Sequence, residues 1–166
     1  LTEANKHYDE RQRLKQKVTV LEEQIATVFK SELSVITFSL NNLMNEYNSA
    51  VYHEDRSAPT IDIKDDSHYT FDTPNDRGTG SRYKGLILFD LAMLKLTALP
   101  AVAHDSFMLK QIEDSILEKL FEMYSKTDKQ VFIAMDKETS YTERVKETFV
   151  YLFVAFISII TLKFDA

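Results

Sequence analysis

The sequence predicts an α/β fold entered by a long N-terminal helix. Three observations carry that expectation. No glycine or proline lies between Thr2 and Val51, so nothing in that stretch breaks a helix. Beyond it, short apolar or alternating runs at 60–64, 68–72, 101–104 and 130–135 are separated by stretches with helical spacing. The breakers also fall at the joints. Gly78, Gly80 and Gly85 lie within eight residues, and Pro59, Pro74 and Pro100 sit where the pattern changes type.

Length and composition set the limits. With 166 residues, 44% hydrophobic and 28% charged, the chain has the size and apolar content of one ordinary domain. This excludes a disordered chain, a collagen-like repeat and a disulfide-stapled miniprotein. The absence of cysteine removes thiolate nucleophiles, thiol redox chemistry and cysteine-bound zinc, and it fits a cytoplasmic protein. A formal charge of -6 gives no whole-molecule attraction for nucleic acid. Leu1 is not an initiator and the first turns are polar rather than a signal peptide, so the chain reads as a piece of something longer.

Within the first segment, Leu14, Val18, Leu21, Ile25 and Val28 follow a 4-3-4-3 spacing, the apolar seam of a coiled coil. Arg11, Arg13, Lys15, Lys17, Glu22 and Glu23 between them suit a solvated outer face. An amphipathic helix packed on its own domain gives the same pattern over so short a seam. After Ser34 the apolar density rises through Ile36, Leu40, Leu43, Met44 and Tyr47, which marks entry into the globular body. The expected division is a helical stalk over residues 1–50 and an α/β lobe over 51–166.

Residues 60–64 and 68–72 alternate as half-buried strands do. Residues 73–82 form a polar, glycine-bearing loop, and an apolar helix follows through Leu86, Ile87, Phe89, Leu91, Met93, Leu94 and Leu96. Pro100 ends it, and a short strand Ala101–His104 leads to Asp105. Helical spacing returns from Ile112 to Tyr124, and Gln130–Met135 reads as a buried strand ending at Asp136. Strands alternating with helices predict parallel pairing. Thr148–Leu162 holds fifteen residues without a charge. A membrane-spanning helix needs about 20. The tail is therefore expected to be two buried strands, or one strand and an interface segment, covered by protein rather than by a membrane.

Much chemistry is excluded. A P-loop is absent, because Lys84 precedes Gly85 and Leu86 follows it. His104-Asp105-Ser106 is no triad, since neighbours on an extended segment point to opposite faces. His7, His53, His68 and His104 lack metal-ligand spacing, and Asp62, Asp65 and Asp66 lack the glycine of a calcium loop. Three places remain. Asn75 to Arg82 is a glycine- and hydroxyl-rich turn opening a helix, suited to phosphate, with Arg77, Arg82 and Lys84 adding positive charge. Asp105 and Asp136 each end a strand, where an α/β sheet holds Mg2+ or substrate. Ordinary loop and surface roles account for each of them singly; together they point to one edge of a sheet.

The order of elements resembles the C-terminal half of an ABC-type ATPase head of the SMC class. There a Ser-Gly-Gly-Glu-Lys sequence opens the signature helix, and Gly78-Thr79-Gly80-Ser81-Arg82 lies over it, followed by the helix from Leu86 to Ala92. The stretches 70–94, 99–106 and 129–137 resemble more closely a bacterial family of SMC-like proteins that end in a domain of unknown function. The likeness covers about residues 68–145.

The resemblance implies that Gly78, Thr79, Gly80, Ser81 and Arg82 form a signature loop touching the γ-phosphate of ATP bound mainly by another subunit. It implies that Asp105 is the Walker B acid acting on Mg2+ through water, that Glu113 lies near the loop crossing a dimer interface, and that Asp136 is at the switch position. The P-loop would come from the protein's own N-terminal lobe, outside these residues. A second head completes a homodimer, and DNA enters as the object by family analogy. The sequence departs from the class in two places. Ser106 stands where a glutamate positions attacking water, and a serine is no general base unaided; Asp136 stands where histidine is common. Asp136 or Glu113 is then the candidate base. A non-catalytic coiled-coil dimerisation module is the competing expectation.

Overall fold

A computed structural model of the chain describes residues 2–52, 56–75 and 78–134. It is a mixed α/β fold with a 50-residue helix α1 (Thr2–Val51), then β1 (Thr60–Ile63), β2 (Tyr69–Asp72), α2 (Thr79–Leu96), β3 (Ala101–His104), α3 (Ser106–Leu109), α4 (Asp114–Ser125) and β4 (Gln130–Ile133). No helix among the described residues is long and apolar enough to cross a membrane. The chain divides into two compact units. One comprises residues 1–39 and 62–70, the other residues 40–61 and the chain from Phe71 onward.

In the first unit, Ser and Thr hydroxyls of α1 are satisfied inside the helix by bonding back to the carbonyl four residues earlier. Thr19 bonds to Lys15, Thr27 to Glu23 and Ser34 to Lys30. The seam from Leu14 to Val28 lies open, each of its five residues between 53% and 68% exposed. The 64–68 turn is held by Asp65, whose Oδ1 accepts from the backbone N–H of Ser67 and of His68. The Ser67 N–H and then the His68 ring hold the Asp65 carboxyl below the usual aspartate range. A connection this short joins β1 and β2 as an antiparallel hairpin, since a parallel pair needs a crossover.

The second unit is organised around α2, which buries Ile87, Leu88, Leu91, Ala92 and Leu94. Ile87, Leu88, Leu91 and Leu94 share one cluster with Leu117, Leu120 and Phe121 of α4, Val131 of β4 and Leu109 of α3. β3 and β4 pair in parallel, as the alternation predicts, with Ala101 opposite Gln130 and His104 opposite Ile133. The crossover between them is α3 and α4.

Polar side chains tie the ends of the elements. Asn41 mimics a strand, its Nδ2 donating to the Ile61 carbonyl and its Oδ1 accepting the Ile61 N–H, both at 2.8 Å. Lys119 Nζ donates to the Val51 carbonyl at the end of α1, and Lys129 Nζ donates to the carbonyls of Leu94 and Thr97 at the end of α2. Both cations sit where the partial negative charge of a helix C-terminus favours them.

Two expectations change. The helix expected after the 73–82 loop begins at Thr79, so Gly80, Ser81 and Arg82 are helical. Hydroxyl and glycine residues read as loop formers in sequence, but the apolar packing behind this turn carries the helix through them. The strand expected to end at Asp136 is described as far as Ile133. Met135, Asp136 and the apolar tail 148–162 lie outside the described residues, as does Arg77.

Candidate functional site

The C-terminal edge of the β3–β4 pair is where the expected site residues can be compared. Asp105 follows β3 directly and is exposed, as a strand-end acid should be. Its Oδ1 accepts the Met108 N–H at 3.0 Å, which makes it the N-cap of α3. Oδ2 takes no part in that bond. Ser106 is the first residue of α3. Glu113, also exposed, is the N-cap of α4, where its carbonyl accepts the N–H groups of Ile116 and Leu117, with no bond from its side chain.

Gly78 is the N-cap of α2, and its carbonyl accepts the Arg82 N–H at 3.1 Å. Thr79, Gly80 and Ser81 make the first turn. Helix starts leave backbone N–H groups without intrahelical partners, with partial positive charge. Gly80 is required by packing: a Cβ there would stand 2.3 Å from the Gln111 carbonyl oxygen. The first turn of α2 is thus pressed onto the α3–α4 connection, two residues from Glu113. Farther along, Tyr83 meets Phe107 edge-on at 5.8 Å, which brings α2 against α3. These contacts bring the Gly78–Ser81 turn, Asp105 and the approach to Glu113 to one edge. Arg82 is exposed there.

Lys84 does not join them. Sequence position suggests a charge for the glycine turn, but the side chain is 1% exposed and turns inward. Its Nζ donates to Asn48 Oδ1 at 2.8 Å and lies 4.4 Å from the centre of the Tyr52 ring. Asn48 in turn donates to the Arg56 carbonyl. Helix α2 is apolar on most faces, and periodicity alone does not tell which way one of its charged residues points.

Beneath the edge lies a chain of three polar groups that sequence reasoning missed. His104, 3% exposed, meets Asp90 Oδ2 through Nε2 at 3.0 Å and the Tyr124 hydroxyl through Nδ1 at 2.9 Å. With the ring proton on Nε2 donated to Asp90, Nδ1 accepts the Tyr124 O–H, and all three groups are satisfied. The His104 and Tyr124 rings also stack at 5.6 Å. Burial, and then the negative charge of Asp90, push the Tyr124 phenol well above its ordinary value of 10.0. The available signal was Asp90, an acid inside the apolar run from Leu86 to Leu96.

Asp105 fits one role toward a metal: a single exposed carboxylate with Oδ2 outside its cap bond can reach a hydrated Mg2+ through water. It does not make a self-sufficient site, because no group of three His, Cys, Asp or Glu able to hold a metal occurs among the described residues. The edge can therefore contribute backbone donors and one acid to a ligand held mainly elsewhere.

Two outcomes follow from this packing. Gly80→Ala must displace the Gln111 backbone, so it should cost roughly 1–3 kcal/mol in urea unfolding; an unchanged midpoint would contradict the close approach. For Tyr124, the raised pKa means that the folded state keeps a proton that the unfolded chain releases, so this contribution to stability is present below about pH 10 and is lost as pH rises beyond it. Tyr124→Phe should cost about 1 kcal/mol at neutral pH and should flatten the alkaline fall of thermal stability. Equal alkaline slopes for the two proteins would contradict the buried bond.

Comparison with known proteins places the chain. No curated protein matches it. Residues 47–164 match a bacterial family, and that span takes in the whole edge and more than half of the sequence. The chain belongs to the family described as "Uncharacterised protein conserved in bacteria (DUF2326)".

Proposed function

We propose that this domain is the C-terminal lobe of an SMC-like ABC ATPase head in the cytoplasm, with α1 as the start of its stalk. One observation carries the reading: a parallel strand ends in an exposed acid, Asp105, at the same edge that receives the glycine-opened N-terminus of α2. Phosphate at a helix start and an acid at a strand end are how α/β sheets handle nucleotides. The roles follow from the chemistry of each group. The first turn of α2, from Thr79 and Gly80, would face the γ-phosphate of ATP held by a second head with its positive dipole end, and Arg82 would add positive charge. Asp105 would orient a Mg2+-bound water through Oδ2. Ser106 is too weakly acidic to serve as base unaided, so Glu113, or Asp136 beyond the described residues, is the proposed base. A P-loop from an N-terminal lobe would complete the site, and closure of two heads would move the stalks, with DNA the object by family analogy.

A second reading is a non-catalytic coiled-coil dimerisation module. The open seam of α1 favours it, and so do the structural duties of Gly80 and Asp105.

Asp105→Asn separates the two in the full-length polypeptide. Asparagine caps a helix about as well as aspartate, so stability should hold while Mg2+-dependent ATP turnover falls at least about a hundredfold. Turnover that survives the substitution, or no nucleotide binding by the wild type, would overturn the ATPase reading.

A further inference from the structure

Asp90, His104 and Tyr124 take no part in the chemistry proposed above, yet each sits on an element that carries or braces the edge. We infer that Asp90 and Tyr124 are positioning residues: through His104 they fix Asp105 relative to the first turn of α2. This role rests on the ATPase reading and adds to it the device that holds two of its contributors in one geometry.

Asp90 lies on α2, about two turns after Arg82. His104 ends β3 and directly precedes Asp105, and Tyr124 stands in the last turn of α4. Successive side chains on an extended segment point to opposite faces. His104 is turned inward, so Asp105 is turned out to solvent. The imidazole is held at both nitrogens, by Asp90 at 3.0 Å and by the Tyr124 hydroxyl at 2.9 Å, and it cannot turn or slide without breaking a bond. Its backbone is held as well, because the His104 carbonyl accepts the Ala134 N–H at 3.0 Å. An apolar residue at 104 would fill the same space through contacts that have no direction. The Asp90–His104 bond therefore ties α2 to the residue before Asp105. Gly80 against the Gln111 carbonyl and Tyr83 against Phe107 tie α2 to the chain after it. Asp105 is thus bracketed on both sides by contacts to the one helix whose start faces phosphate.

Asp90→Leu in the full-length polypeptide leaves the buried His104 N–H without an acceptor, whereas Asp90→Asn keeps an oxygen there. Without nucleotide, the Met108 amide, which Asp105 caps, should exchange with solvent roughly fivefold faster in Asp90→Leu. A role in stability alone would instead speed the buried amides of α4 and leave Met108, in its single exposed turn, as it was. With ATP, the Mg2+ concentration for half-maximal turnover should rise roughly tenfold while the KM for ATP stays within about twofold. Asp90→Asn should bring both readouts back to within about threefold of the wild type. Tyr124→Phe, which frees one ring nitrogen only, should shift both in the same direction by less. A folded Asp90→Leu protein with Met108 exchange unchanged, or with its Mg2+ requirement unchanged beside active wild type, would overturn the positioning role. A wild type that turns over no ATP would sink the ATPase reading instead, and Met108 exchange would still decide whether Asp90 places Asp105.

Discussion

Two charged side chains on an apolar helix, the buried Lys84 and the partly exposed Asp90, organise the globular unit. Lys84 is 1% exposed, and burying a charge is costly unless a polar partner meets it. Lys84 is met by Asn48 and by the Tyr52 ring from the end of α1. Asp90 is met by His104 at the end of β3, which is itself held by Tyr124 of α4. Apolar contacts are non-directional and would let these elements slide. The two polar ties do not, and they fix the end of α1, the end of β3 and the last turn of α4 against one helix.

The edge of the β3–β4 pair follows from those ties. Once His104 is anchored, Asp105 is delivered to the strand end, where it caps α3. One turn before Lys84, Gly80 brings α2 against the Gln111 carbonyl, and only glycine allows that approach. The residues that a nucleotide site would use are therefore held by bonds and contacts of their own. Such holding is what a preorganised contributor needs, and it equally suits a domain whose task is rigid assembly.

Much of this was legible in the sequence. The missing breakers before Val51 marked α1, and alternation marked β1, β2 and the parallel β3–β4 pair. The acid at the end of an apolar run located Asp105. What escaped was set by contacts distant in sequence. Lys84 answers a side chain 36 residues away, and His104 answers groups 14 and 20 residues away. Gly80 looks like a loop residue until Gln111 is placed beside it. Local pattern reports period and polarity, and neither tells whether a charge on an all-round apolar helix points in or out.

Amide hydrogen exchange on the full-length polypeptide, with and without Mg2+-ATP, tests the central claim most directly. Phosphate at the start of α2 and a metal-bound water at Asp105 should protect amides within residues 78–82 and 105–113, while the exposed stretch around the α1 seam stays unchanged. Nucleotide-dependent protection that leaves both of those segments untouched would contradict the account.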